Sequence, residues 1–161
     1  MLRRPTTADT DAVVALLAEL GHPDQSGVAE RITAWNEDPT SEVTVVEDGS
    51  GVLVGLVAVS AQPSFHRAAP VAIVVSLVVS SRARGGGVGR TLMDVAERFA
   101  RACGCTNIQL SSRRTRPEAH AFYRRLGFTD RCDTHAQYVR TVPYEVSPTS
   151  SGPPSTATDQ R

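Results

Sequence analysis

An α+β fold built on a mixed sheet is what this 161-residue sequence predicts, and three observations predict it. Two helical stripes come early, before any long strand-like run. Two strand patterns then follow each other with only a turn between them. After that a strand, a glycine-rich turn, a helix and a second strand succeed one another. Early helices and later mixed strands fit an α+β or mixed sheet better than a purely doubly wound one. The length suits one domain with a real core, placed at residues 1–145, and the 40% apolar content is ordinary for a globular chain.

The elements follow in order. Residues 3–6 read as a short strand leading to a helix capped near Thr7 or Asp9. That helix carries Val13, Leu16, Leu17 and Leu20 on one stripe and stops at Gly21. A second helix starts near Ser26, places Val28, Ile32 and Trp35 at helical spacing, and ends before Pro39. The period then changes to two. Residues 42–47 and 52–60 read as a hairpin around Asp48-Gly49-Ser50-Gly51. A loop over 62–70 holds Phe65 and His66. Val71–Val79 is almost continuously apolar and β-branched, which predicts a strand buried on both faces. Val88, Leu92, Val95, Ala96, Phe99 and Cys103 then mark a helix, and residues 107–110 a short strand. The intervening helix makes those two strands parallel through a right-handed crossover. Pro117 opens a further helix, with Ala119, Phe122, Tyr123 and Leu126 on one side and Gly127 as its stop. Residues 138–142 read as a last strand. The segment 146–161, rich in Ser, Thr and Pro, cannot bury enough apolar surface to offset its ordering entropy and is expected to be a disordered tail.

Composition narrows the function classes. No apolar run is long enough to span a bilayer, and Met1-Leu2-Arg3-Arg4-Pro5 leads into polar residues rather than a signal-peptide core, so the chain reads as cytoplasmic. Cys103, Cys105 and Cys132 do not pair evenly and lack metal-site spacing, which predicts small core side chains and no metal. The arginines are spread along the chain without a recognised module, so nucleic acid is not an expected partner. Net charge is zero but segregated: residues 1–66 hold three Arg against ten acids, and residues 67–145 hold thirteen Arg against six. Two halves of opposite sign suit ligands of opposite sign.

The segment Arg84-Gly85-Gly86-Gly87-Val88-Gly89-Arg90 lies between an apolar run and a helix. A strand, a glycine-rich turn and a helix N-terminus in that order build a nest of backbone N–H groups suited to phosphate. Gly85, Gly86, Gly87 and Gly89 leave the backbone open to close approach, and Arg84 and Arg90 lie beside them. A nucleotide-hydrolysing loop ends in Lys-Ser/Thr. All seventeen basic residues here are Arg, so the phosphate reading stands and the ATPase or kinase reading does not.

Leu77-Val78-Val79-Ser80-Ser81-Arg82-Ala83-Arg84-Gly85-Gly86-Gly87-Val88-Gly89 and Ala119-His120-Ala121-Phe122-Tyr123-Arg124-Arg125-Leu126-Gly127-Phe128 together resemble the GNAT superfamily of N-acetyltransferases. The first matches that family's Arg/Gln-x-x-Gly-x-Gly/Ala loop at Arg84, Gly87 and Gly89. The second matches its Phe-Tyr-x-x-x-Gly-Phe segment. The resemblance covers about residues 1–142. It implies a central mixed sheet whose β-α-β core binds coenzyme A, flanked by helices, with acetyl-CoA as cosubstrate.

By the same resemblance, the pyrophosphate lies on the backbone of the loop and the first turn, Gly85 to Arg90, and pantetheine lies along Leu77, Val78 and Val79, between two splayed parallel strands that end at Val79 and Leu110. The Val79 N–H faces the thioester carbonyl as an oxyanion donor. Tyr123 is the acid that protonates the leaving thiolate. Two positions depart from the pattern. Arg116 stands where many members have a pantetheine-binding Asn, so that contact is lost or taken over by guanidinium reaching a phosphate. Ser76 stands where many have a Glu base, which leaves His66, His120, Glu30 or a water chain to take the amine's proton.

The resemblance thus implies direct transfer of an acetyl group to a primary amine, of a small molecule or a peptide N-terminus, with homodimerisation as a further expectation. In that frame the basic half holds the anionic cosubstrate, and the acidic half, with Trp35, Phe65 and His66, walls a site for a small cationic acceptor. The alternative from another class is a non-catalytic acyl-CoA-binding sensor or pseudoenzyme, which Ser76 and Arg116 motivate.

Overall fold

Five strands pair in sequence order in the computed structural model, which describes residues 1–23 and 26–132. They are β1 (Leu2–Arg3), β2 (Ser41–Glu47), β3 (Leu53–Gln62), β4 (Val71–Val79) and β5 (Asn107–Leu110). The first four are antiparallel and β5 joins β4 in parallel, which makes the sheet mixed as the element order predicts. The expected strand at 138–142 and the tail from 146 lie outside the described residues.

The helices are α1 (Thr10–Leu20), α2 (Val28–Glu37), α3 (Val88–Ala102) and α4 (Pro117–Arg125). Residues Met1–Arg116 form one compact unit, and a second begins at Pro117. In the first unit, Val13 and Leu16 of α1 and Val28 and Ile32 of α2 bury against Val45, Leu56, Ala58 and Val78 of the sheet, with Trp35 packed at the edge of that cluster. Trp35 is therefore half-buried against the core. Leu92, Met93, Val95, Ala96 and Ala100 are the buried stripe of α3. Burial of this kind contributes about 25 cal/mol per Å² of apolar surface, and it outweighs helix propensity in fixing these elements.

Gly55 decides how closely α3 approaches. A Cβ there would lie 2.9 Å from Val88 Cγ1 and 3.0 Å from Leu92 Cδ1. Only a residue without a side chain lets the first turns of α3 settle on β3. Through Val88, that contact also sets where the glycine loop ends.

Two expectations are corrected. β4 is not buried on both faces throughout: Val71, Ala72 and Val74 are buried, but Val75 is 55% exposed. The cause lies in the ladder. β5 pairs with β4 only from Val71 to Val74, and Val75 is an extra residue between the Ala58–Ser76 and Val59–Val74 pairs, a bulge. Nor do all three thiols lie in a core, since Cys103 and Cys105 are half-buried at the end of α3 and Cys132 is exposed.

Candidate active site

The β4–α3 connection is built as the sequence suggests. β4 ends at Val79, a single 3-10 turn covers Ser81–Ala83, and Gly87 caps α3. Gly85 and Gly87 have φ of +80° and +83°, a left-handed backbone that side chains disfavour. The N-cap is a glycine and α3 has no side-chain cap and no acid in its first turn. The N–H groups of Val88, Gly89 and Arg90 are thus at a helix N-terminus that carries partial positive charge and no built-in anion. Arg90 is within 3.5 Å of Asp94 one turn on.

The strand feeding this loop is open along one edge. β5 stops at the partner of Val74, while β4 runs on to Val79, bonded among the described residues to β3 alone. The Ser80 N–H donates to the Val54 carbonyl at 2.9 Å. Antiparallel ladders alternate, so Val79, one residue earlier, turns its N–H and C=O away from β3 toward the edge that β5 has left. Arg84 folds back over the same place, its Nε 3.3 Å from the Val79 carbonyl. Leu77 and Val79 are half-buried, and Val78 is buried in the α1–α2 core.

Glu19, which sequence reasoning passed over, holds the corner. It lies on α1, and its carboxylate accepts from Ser80 Oγ at 2.9 Å and from the Ser81 N–H at 2.8 Å, with Arg84 Nη2 at 3.9 Å. The Ser81 backbone bond, then the Ser80 hydroxyl, hold its carboxyl below the usual carboxylate range. Its only signal was an acid inside an apolar stretch, Leu16-Leu17-Ala18-Glu19-Leu20.

Other expected residues are placed elsewhere. Arg116 Nη2 donates to the Leu20 carbonyl, at the C-terminal end of α1. Phe65 and His66 lie in the loop before Val71, the end of β4 opposite Val79, and eight residue steps of strand span roughly 26 Å. They do not wall the Val79 edge of the same chain. Phe65 is fully exposed, and the His66 ring is 3.5 Å from Ser64 Oγ. Glu30 is on α2 and Ser76 on β4, opposite Ala58.

In the second unit, α4 ends in a left-handed Gly127 with φ +85°. Phe128 N–H donates to the Tyr123 carbonyl and Gly127 N–H to that of Arg124, both at 3.0 Å, the paired bonds of a Schellman cap. The Tyr123 ring meets Phe128 edge-on at 5.9 Å and Phe122 at 5.4 Å. That geometry explains the Phe-Tyr-x-x-x-Gly-Phe spacing: the cap and two rings fix the direction of the phenol.

Residues 11–128 match the model of the acetyltransferase (GNAT) family. The chain belongs to that family. It is similar to the aminoalkylphosphonate N-acetyltransferase of Salmonella typhimurium (strain LT2), with 33% identity over 129 residues, 79% of this chain and 83% of the relative. Among solved structures it resembles a transcriptional regulator from Bacillus halodurans C-125 at 27% identity and TM-score 0.76, over 88% of this chain and 99% of that one. A putative acetyltransferase from Agrobacterium tumefaciens str. C58 follows at 25% identity and TM-score 0.75, with the same coverage. This GNAT protein is an acetyltransferase, with the mixed α+β fold of its structural neighbours. Among its described residues there is no helix long and apolar enough to cross a membrane, and no group of three or more metal-binding side chains.

Proposed function

We propose that this protein moves the acetyl group of acetyl-CoA to a small primary amine by direct attack, with no covalent enzyme intermediate. The observation that carries the reading is the open edge of β4, with Val79 turned outward immediately before a glycine loop and an uncapped helix N-terminus. Family membership supports acetyl-CoA as donor. The domain that does this work is residues 1–145, and a cytoplasmic site of action and a homodimer are part of the same proposal.

The loop N–H groups from Gly85 to Arg90 hold the pyrophosphate, aided by the dipole of α3. The backbone edge at Leu77, Val78 and Val79 aligns pantetheine as a missing strand would. The neutral amine's lone pair then attacks the thioester carbon, and the new C–N bond leaves an oxyanion on the carbonyl oxygen, to which the Val79 N–H donates. Water takes the proton from the amine nitrogen, since serine at position 76 is too weak a base. Collapse breaks the C–S bond, and the Tyr123 phenol, ordinarily near pKa ~10, gives its proton to the departing thiolate.

The charge split favoured a cationic acceptor, but six of the ten acids in residues 1–66 are engaged within the fold. Asp9 and Glu47 hold Arg3, Glu42 holds Arg4, and Glu19, Asp38 and Asp48 bind nearby hydroxyl or N–H groups. What remains of that reading is the amine itself, protonated in water. The Salmonella relative is named for aminoalkylphosphonates, so an aminoalkylphosphonate is the first acceptor to offer. The test is release of CoA thiol from acetyl-CoA across cationic, neutral and anionic amines, with Tyr123→Phe beside the wild type. Turnover slowed about a hundredfold or more in Tyr123→Phe, with little change in the KM for acetyl-CoA, supports both the transfer and the acid. Acetyl-CoA binding with no turnover on any amine returns the protein to the sensor reading that Ser76 motivates.

A further inference from the structure

Arg84 opens the glycine loop, yet its side chain reaches back to the strand before it. The 3-10 turn over Ser81–Ala83, closed by the Ala83 N–H on the Ser80 carbonyl at 2.8 Å, reverses the backbone. Arg84 Nε then lies 3.3 Å from the Val79 carbonyl, and Nη2 lies 3.9 Å from Glu19 Oε2. The guanidinium thus covers the outward-facing carbonyl of the last residue of β4, on the edge that β5 has left.

Both contacts are weak. At 3.3 Å the bond to Val79 is longer than an ordinary N–H···O bond, and 3.9 Å is too far for a hydrogen bond at all. Glu19 gives its shorter bonds to Ser80 and Ser81, and the Arg84 side chain is 58% exposed, so water screens the ion pair. The place matters more than the strength. A thioester arm that lies on this edge as an added strand needs the Val79 carbonyl to accept from one of its own amide N–H groups. Guanidinium and arm therefore compete for the same side of one oxygen.

We propose that Arg84 is a specificity-determining residue for the acyl donor: it lies across the Val79 edge and yields that edge to a donor whose phosphate groups draw the guanidinium away. The inference rests on the acetyl-CoA reading above. Arg84 directly precedes Gly85, so the same side chain adjoins the N–H groups of residues 85–90 that hold the diphosphate in that reading. A ligand shifts an equilibrium between two positions only by its differential affinity for them. A diphosphate replaces a long bond to a neutral carbonyl with a charge-assisted one that suits the guanidinium fork. A bare pantetheine arm supplies no such partner and must displace the guanidinium unaided. The side chain thus sorts donors by the charge at their far end, well away from the thioester.

Dissociation constants are measured by calorimetry on wild type and Arg84→Ala, for CoA and for pantetheine, which lacks the diphosphate and the nucleotide. Thiol release from acetyl-CoA and from S-acetylpantetheine is followed beside them. The expected result is a pair of shifts of opposite sign. CoA should bind Arg84→Ala about tenfold more weakly, through the lost charge-assisted bond, and pantetheine about two- to fivefold more tightly, through the uncovered edge. Weaker binding of both ligands overturns the proposal, by making Arg84 a plain binding residue. Weaker CoA with pantetheine unmoved, or with pantetheine bound by neither protein, overturns it as well, since the guanidinium then obstructs nothing. Binding is read without turnover, so the two readings can fail separately. Opposite shifts with no thiol release on any amine keep the selection by Arg84 and overturn the transferase, and a wild type that does not bind CoA overturns both.

Discussion

Removing the Glu19 carboxylate should loosen the corner between β4 and the glycine loop. The side chain accepts two hydrogen bonds, from Ser80 Oγ and the Ser81 N–H, at 2.9 and 2.8 Å. A hydrogen bond to a charged group is worth about 1.5–3 kcal/mol when well shielded. Glu19 is 34% exposed, so solvent screening reduces this, and the Arg84 contact at 3.9 Å adds little. Glu19→Ala is therefore expected to lower stability by about 1–2 kcal/mol, a fall in Tm of roughly 3–8 °C for a domain of this size. Because the lost bonds fix the turn that starts the loop, the KM for acetyl-CoA should rise about three- to tenfold, with a smaller change in kcat. Glu19→Gln, which can still accept from Ser81, should fall between. Its carboxyl is held below the ordinary range, so the wild type's extra stability is fully present above the unfolded pKa of ~4.3 and is lost as pH falls through the lower folded value. Thermal melts from pH 3 to 7 beside acetyl-CoA titrations read both effects. An unchanged KM for acetyl-CoA in Glu19→Ala would refute the corner as a determinant of loop position, whatever happened to the melt.

Two further outcomes follow from the packing. Gly55→Ala drives a Cβ to 2.9 Å from Val88 and should cost about 1–3 kcal/mol, read as a lower Tm, with weaker acetyl-CoA binding because Val88 opens α3. Asp9→Asn should cost about 2 kcal/mol at pH 7, since Asp9 takes both Arg3 terminal nitrogens at 2.7 Å and the Thr6 N–H. The Arg3 bonds hold the Asp9 carboxyl far below its usual range, so that stability is present above ~3.9 and lost in stronger acid. The gap between the two proteins' melting temperatures should then narrow as pH falls toward that of full protonation.

The local signals in the sequence were the reliable ones. Gly21 and Gly127 end their helices where the stripes stop, because a left-handed cap is a demand on one residue. The glycine loop was legible for the same reason. The splay of β4 from β5 was expected only through the family resemblance, although the residues carry a signal of their own: a nine-residue strand cannot be paired throughout by a four-residue neighbour. A uniform apolar run hid the bulge at Val75, since side-chain hydropathy carries no trace of which ladder groups lack a partner. Charge misled most. The ten acids of the first 66 residues suggested a site, but Arg3, Arg4 and local hydroxyl and N–H groups engage five of them, through contacts as far as 44 positions apart. Glu19 and Arg116 belong to the same class, since their partners, Ser80 and Leu20, are 61 and 96 positions away.

The open edge of β4 also bears on how the protein behaves in a tube. From Val75 to Val79 the described residues offer β4 a neighbour on one side only, and an unsatisfied ladder is a template for any extended chain. On the proposed function, the cosubstrate that fills this edge acts as a solubility factor as well as a reactant. Protein kept without acetyl-CoA should be the form most prone to pair edge to edge and leave solution, and a saturating cosubstrate or CoA is the natural stabiliser for concentrating it.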